Sequence, residues 1–323
     1  MPTSKEQKPD AQKRGPKPLT LPQRLAVRVW AFAIQKRARS LADRSGPRQW
    51  PANLTPYEVE RVVHGDTHRW RVESDGIKRP KQFDAYLAGL HWPNARTRAT
   101  FRQDFPELEY WLDLDLWSQI EAVPPPMSRL HEIMRMARPS LRALLYERTA
   151  PGDPLNPSLR RVAMPRADAA RVVRAEGDLE ALTVLFALLR EAECIGDIEG
   201  HTAVAREAIN LLFALAVDPP WVRVASDIFR HLRRSVLVHV PSTVEGLRLA
   251  EVNPDHEISL RLDMLFAAQS AGVNIDDAST TIAQMALLDR LGRNEYLEHL
   301  KRTSTTGRIV LYGHGIVTGS LDD

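Results

Sequence analysis

Cysteine is almost missing from this chain: one residue, Cys194, among 323. No internal disulfide can form, which fits a reducing compartment and a core held by ordinary packing. Long apolar runs are missing as well. Stretches such as 184–189 and 211–217 fall far short of the roughly 18 residues that a membrane-spanning helix needs. The opening residues, MPTSKEQKPDAQKRGPKP, carry no apolar segment of the secretory-signal kind, and their Lys, Pro, Gln and Asp content predicts disorder. A Walker loop, a Gly-x-Ser-x-Gly elbow and a dinucleotide fingerprint are all lacking. The expectation is a cytoplasmic, non-enzymatic protein with no cofactor and no metal site. Cys194 follows an apolar run with no second cysteine near it, and reads as a buried, inert thiol.

The composition, 43% hydrophobic and 26% charged, is that of an ordinary globular chain, so the charge distribution says more than the total. Residues 1–102 hold 21 Lys and Arg against 9 Asp and Glu, a balance of +12; the other 221 residues hold 23 against 32, a balance of −9. A basic end on an acidic body points to a polyanion partner. The alternative is a basic face that balances the acidic part within the chain.

Residues 1–20 read as a flexible basic arm. Within it, Lys13-Arg14-Gly15-Pro16-Lys17-Pro18 loosely resembles an AT-hook, with Pro16 standing where that element has its second Arg. The resemblance implies Arg14 and Lys17 in an A·T minor groove, and the plainer reading has them touching phosphates. Residues 21–120 read as a basic helical module. Leu25, Val29, Phe32 and Ala33 give 21–41 a narrow apolar face among arginines, and Pro22 suits an early helical position. Thr55-Pro56-Tyr57-Glu58 is a helix start with a capping-box spacing. His64 and His68 share a four-residue spacing, but Gly65-Asp66 between them reads as a turn and no further ligand is near, so no zinc site is expected.

The stretch 68–117 holds four of the seven tryptophans: Trp70, Trp92, Trp111 and Trp117. Ser74-Asp75-Gly76 reads as a turn, and Lys78-Arg79-Pro80-Lys81 as the opening of a helix that carries Phe83, Tyr86 and Leu87. The segment from Tyr86 through Gly89 to Pro93 resembles the aromatic-x-x-Gly-x-x-x-Pro segment after the recognition helix of phage-repressor-type helix-turn-helix domains. That resemblance covers about 55–117 and implies DNA binding. Lys78, Arg79 and Lys81 are then candidates for phosphate at a helix start. Arg96, Arg98 and Arg102 are candidates for phosphate contact or guanine readout. Trp92, beside a proline, is a candidate for stacking on a base, whereas Trp70, Trp111 and Trp117 read as core. The acidic aromatic run 105–117 is expected to close the module by packing, with Asp113 and Asp115 on a solvated face.

Ala122-Val-Pro124-Pro125-Pro126 is the candidate boundary, and 121–167 reads as a proline-rich connection with one helix broken near Pro139. Residues 168–304 read as antiparallel helices punctuated by Gly177, Gly196, Gly272 and Gly292. Leu185-Phe186-Ala187, Leu212-Phe213-Ala214 and Leu265-Phe266-Ala267 hint at a repeat. Glu191, Glu193, Asp197 and Glu199 form an acidic cluster, either solvated or facing a basic partner. Residues 305–323 read as a tail with a hairpin or an extended strand that can add to a partner's sheet. The fold class expected is mainly α: a small basic helical N-terminal module, then a larger domain of antiparallel helices. The function expected is a DNA-binding regulatory or accessory protein, with nucleic acid as partner (duplex DNA foremost) and a C-terminal domain that oligomerises or binds a protein. The alternative is a helical scaffold or adaptor that binds an acidic protein.

Overall fold

In the computed structural model the chain starts with a 24-residue helix, α1 (Leu21–Arg44), which lies between two hydrophobic cores. The structure describes residues 18–44, 54–64, 71–73, 76–78, 82–148, 159–218, 220–238, 252–275, 278–304, 308–309 and 319–320; for 43–44, 64, 71–73, 76–78, 278–279, 308–309 and 319–320 it describes the backbone course alone. Leu25, Ala26 and Val29 of α1 enter the larger core, while Val27, Trp30, Ala31, Ala33, Ile34, Ala38 and Ala42 enter the smaller one. The narrow apolar face expected of this helix is therefore corrected: α1 is buried on most of its circumference. Its small alanines admit close neighbours, and its arginines reach outward on long apolar stems.

The smaller core is built by α1 with α2 (Pro56–His64), α3 (Gln82–Leu87), α4 (Ala95–Asp104) and the 3-10 turn Pro106–Trp111. Glu58 and Thr55 form the expected capping box: Thr55 N donates to Glu58 Oε2 at 2.6 Å, and Glu58 N donates to Thr55 Oγ1 at 3.3 Å. Between α2 and α3 lies an antiparallel pair, β1 (Arg71–Glu73) and β2 (Gly76–Lys78), with Arg71 opposite Lys78 and Val72 opposite Ile77. This corrects one expectation. Lys78 belongs to a strand ladder and opens no helix; the first helical residue is Gln82. Pro80 accounts for the delay, because it disfavours the α conformation in the residue before it.

The larger core continues through α5 (Leu116–Gln119), α6 (Met127–Met136) and α7 (Pro139–Leu145). A second strand pair follows, β3 (Tyr146–Arg148) with β4 (Leu159–Arg161), inside the segment expected to be a proline-rich connection with one helix. Then come α8 (Arg166–Ala175), α9 (Leu179–Ile195), α10 (Ile198–Leu215), α11 (Ala225–Ser235), α12 (Pro254–Ser270) and α13 (Ala278–Thr303), and in the tail β5 (Arg308–Ile309) pairs antiparallel with β6 (Gly319–Ser320). The fold class is mainly α, as expected. Pro139 divides α6 from α7, and Gly292, at φ 74° and ψ 166°, kinks α13.

The α9–α10 hairpin is the centre of the larger core, and every residue from Ala181 to Ala192 in α9 is buried. Each large apolar side chain so placed contributes about 1.5–3 kcal/mol over an exposed one. Arg190 is wholly buried among them. Its Nη2 donates to the carbonyls of Glu121 at 2.6 Å and Ala122 at 3.3 Å, and its Nη1 pairs with Glu193 at 2.6 Å. The proline-rich stretch is thus tied to α9 by one guanidinium. Leu185-Phe186-Ala187 and Leu212-Phe213-Ala214 are buried, but Phe266 is 46% exposed, so the third phrase does not occupy an equivalent position. Cys194 is also corrected: it is exposed, on the last turn of α9. Desolvation, followed by the Glu193 carboxylate, pushes its thiol up, so it stays protonated at neutral pH.

Candidate nucleic-acid interface

The α3–α4 unit is pinned to α1 by aromatic packing. The Trp30 ring meets Tyr86 edge-on at 5.5 Å and Phe101 at 5.2 Å. Buried Glu60 of α2 accepts from the Phe83 amide at 2.9 Å, which satisfies a free donor at the start of α3. Gln82 Nε2 reaches Tyr86 Oη at 2.6 Å and Thr97 Oγ1 at 3.2 Å, so α3 and α4 are cross-linked near the turn.

Gly89 ends α3 with φ +66°, while the Leu90 amide donates to Ala85 O and the Gly89 amide to Tyr86 O, both at 2.9 Å. This is a Schellman closure. It also brings the turn onto α1, where a Cβ on Gly89 would stand 2.7 Å from the Arg24 carbonyl. The turn then presents Leu90, His91 and Trp92 outward, with Leu90 57% and Trp92 36% exposed. Asn94 caps α4 by accepting from the Thr97 amide at 2.9 Å, and no acid stands in the first turn of that helix.

The three arginines expected to act together are split. Arg96 is exposed, and no ion pair engages it among the described residues. Arg98 is half-buried, with Glu109 at 3.0 Å and Asp113 at 2.5 Å, and Arg102 pairs with Glu109 as well. The hydrogen bond from Arg102 comes first among the causes that hold the Glu109 carboxyl below its ordinary range. Arg24 on α1 is exposed and makes no ion pair among the described residues. Arg14, Lys17, Arg79 and Lys81 lie outside the described residues, as do Trp70 and His68; Lys78 has its backbone in β2, and its side chain is not described. The exposed cation–aromatic set is therefore Arg24, His91, Trp92 and Arg96.

Part of the basic charge of the N-terminal part meets acids of the same chain. Arg28 pairs with Asp227 at 2.6 Å, Lys36 with Asp218 at 3.0 Å and Arg37 with Glu107 at 3.0 Å. The acidic run 105–117 packs inward through Phe105, Leu108, Leu112, Leu116 and Trp117. Trp117 Nε1 donates to the Trp111 carbonyl at 2.6 Å, and its ring stacks on Trp221 at 6.1 Å. Of the acidic cluster near the end of α9, Glu191 turns inward, Glu193 and Asp197 are half-buried, and Glu199 is exposed. Glu191, with its side chain 7% exposed, gathers His131 at 3.0 Å, Arg161 at 3.2 Å and Arg166 at 3.5 Å. Asp197 holds Arg166 at 2.6 Å.

Two features carried no periodic signal in the sequence. Two guanidiniums approach the Tyr146 ring, Arg161 at 5.4 Å and Arg135 at 5.8 Å from its centre. A groove of about 540 Å³ opens where Tyr110, Leu114, Met136 and Leu179 converge. Among the described residues no three His, Cys, Asp or Glu side chains are grouped to hold a metal ion, and no helix is long and apolar enough to cross a membrane. Comparison with protein-family models, with curated proteins and with solved structures finds no match, so the reading of this surface rests on its own geometry.

Proposed function

We propose that this chain is a DNA-binding regulatory or accessory protein whose contact surface is the turn between α3 and α4. One observation carries the reading: Trp92 and Arg96 stand exposed at this tip without an acidic partner among the described residues, whereas Arg98 and Arg102 beside them are engaged within the chain. The division gives each group a role. Glu109 and Asp113 position Arg98 and stiffen α4, and Arg96 and Arg24 meet phosphate. Trp92 supplies a flat face for a base or sugar. The acid-free first turn of α4 keeps the local potential favourable for an anion. The helical body serves oligomerisation or partner binding.

The test is a titration of the full chain against duplex DNA, single-stranded DNA and RNA over a salt series. Affinity that falls steeply with salt supports the reading, and the slope counts the phosphates engaged. A second reading, an adaptor for an acidic protein, draws support from Leu90, whose exposed side chain next to Trp92 supplies an apolar anchor of the kind found at the centre of protein interfaces. It predicts no nucleic-acid binding at low salt.

A further inference from the structure

Residues 127–166 reverse the charge of the part they belong to. Residues 103–323 carry a balance of −9, yet this stretch holds eight Arg and no Lys against three Asp and Glu, a balance of +5. It spans α6, α7 and the β3–β4 ribbon. Four of the arginines are engaged: Arg129 with Asp115, Arg138 with Glu176, Arg161 with Glu191 and Arg166 with Asp197. The other four are not. Arg135, Arg148 and Arg160 are exposed and Arg142 is half-buried, and no ion pair engages them among the described residues.

The free arginines gather around one buried ring. The Arg135 guanidinium of α6 lies 5.8 Å from the centre of Tyr146. The Tyr146 amide donates to the carbonyl of Arg142, one turn earlier on α7. Arg148 follows Tyr146 by two positions, on the same face of the ribbon. An aromatic face holds a cation without neutralising it. The acids at hand do not neutralise it either. Glu147 stands directly opposite Arg160 in the strand register, but the two form no ion pair. Glu191 is buried and already shared by His131, Arg161 and Arg166.

We infer that this arginine cluster is a second nucleic-acid contact, on the helical body, that takes the sugar-phosphate backbone. The inference rests on the reading of the chain as a nucleic-acid-binding protein and adds a surface to it. Uncompensated like charges select an anion, and the guanidinium fork suits the paired oxygens of a phosphate. An acidic protein fits less well, because a protein interface is centred on apolar anchors. Tyr146 is 6% exposed and Leu159 packs on the larger core, so neither apolar side chain of the ribbon is free to serve as one. Glu147, exposed among the arginines, opposes the phosphate.

The test is fluorescence anisotropy of labelled duplex DNA with the full chain over a salt series. Arg148→Gln/Arg160→Gln is expected to weaken binding at least five-fold and to lower the log–log slope by about two. Arg290→Gln/Arg293→Gln removes the same charge from exposed positions of α13 and is expected to leave the slope unchanged. Glu147→Gln is expected to tighten binding about two-fold, a gain that misfolding does not produce. Circular dichroism verifies the fold of each variant. DNA binding that the ribbon variant leaves unaltered overturns the proposal, and so does an equal loss in the α13 variant or the absence of a gain in Glu147→Gln. Polyglutamate that displaces the DNA as well as unlabelled DNA of equal charge also overturns it, since the occupant is then an acidic protein. A slope lowered by the ribbon variant but not by Arg96→Ala supports this contact and removes the α3–α4 tip; the reverse removes this contact alone. No binding by the native chain overturns the reading on which both rest.

Discussion

Arg28 of the first helix and Asp227 of α11 meet at 2.6 Å, although 199 positions of sequence separate them. The same guanidinium also donates to the Arg223 carbonyl at 3.2 Å. This contact fastens the basic N-terminal part to the acidic body, and with Lys36–Asp218 it spends part of the charge asymmetry inside the molecule. The side chains remain 25% and 40% exposed, so the pair is worth little on its own. A double-mutant cycle of Arg28→Ala and Asp227→Ala, followed by urea unfolding, is expected to give a coupling of about 0.5–1 kcal/mol that shrinks with salt. A coupling well above that range contradicts this picture.

Gly89 and Gly196 share a positive φ, +66° and +73°, but differ in their surroundings. A Cβ on Gly196 meets nothing within 4 Å, whereas one on Gly89 meets the Arg24 carbonyl at 2.7 Å. Gly196→Ala should cost about 1 kcal/mol, the conformational penalty alone. Gly89→Ala should cost more, about 2–3 kcal/mol, because the α3–α4 turn must also lift from α1. Thermal or urea unfolding of the two variants checks the order; equal losses contradict the seating of this turn.

Asp197 caps α10 by accepting from the Gly200 amide at 2.8 Å, and its other oxygen holds Arg166 at 2.6 Å. Asp197→Ala is expected to cost about 1–2 kcal/mol. The Gly200 amide bond first, and the Arg166 guanidinium with it, keep the carboxyl below its ordinary range against the opposing desolvation. A lowered folded-state pKa stabilises the fold above the unfolded value, about 3.9, and that contribution disappears as the pH falls through the folded one. Acid titration of stability should therefore lose part of its slope below pH ~4 in Asp197→Asn.

Tyr296 is fully buried, donates to Gln284 Oε1 at 2.8 Å, and has its hydroxyl pushed up to about 12 by burial. In the unfolded chain the phenol ionises near its ordinary value of about 10. The unfolded state thus loses its proton first, and stability falls as pH rises from about 10 to about 12, by about 1.4 kcal/mol per pH unit at most. Urea unfolding across that range should show a steeper alkaline decline for the native chain than for Tyr296→Phe.

Local chemistry made a good part of the fold legible. Thr55 and Glu58 marked a helix start, Pro139 a break, and Gly177, Gly196, Gly272 and Gly292 the ends or kinks of helices, because each signal acts within one turn of backbone. What escaped depends on contacts between distant residues. The two-sided burial of α1 comes from sandwiching between two cores, which a single-face periodicity does not encode. The inward turn of Glu191 needs His131, Arg161 and Arg166 from three other segments. Lys78 sits in a ladder whose other strand is Arg71–Glu73, and such pairing carries no one-helix signal. In the candidate site, Trp92 and Arg96 stand exposed, whereas the engagement of Arg98 and Arg102 followed from Glu109, eleven and seven positions downstream.

The central claim, that the α3–α4 tip meets nucleic acid, is tested most directly at Arg96. The measurement is fluorescence anisotropy of labelled duplex DNA with the full chain and with Arg96→Ala and Trp92→Ala, across a salt series. The account predicts salt-dependent binding by the native chain, a log–log slope reduced by about one in Arg96→Ala, and weaker affinity at an unchanged slope in Trp92→Ala. Binding that neither variant alters, or no binding at low salt, contradicts it.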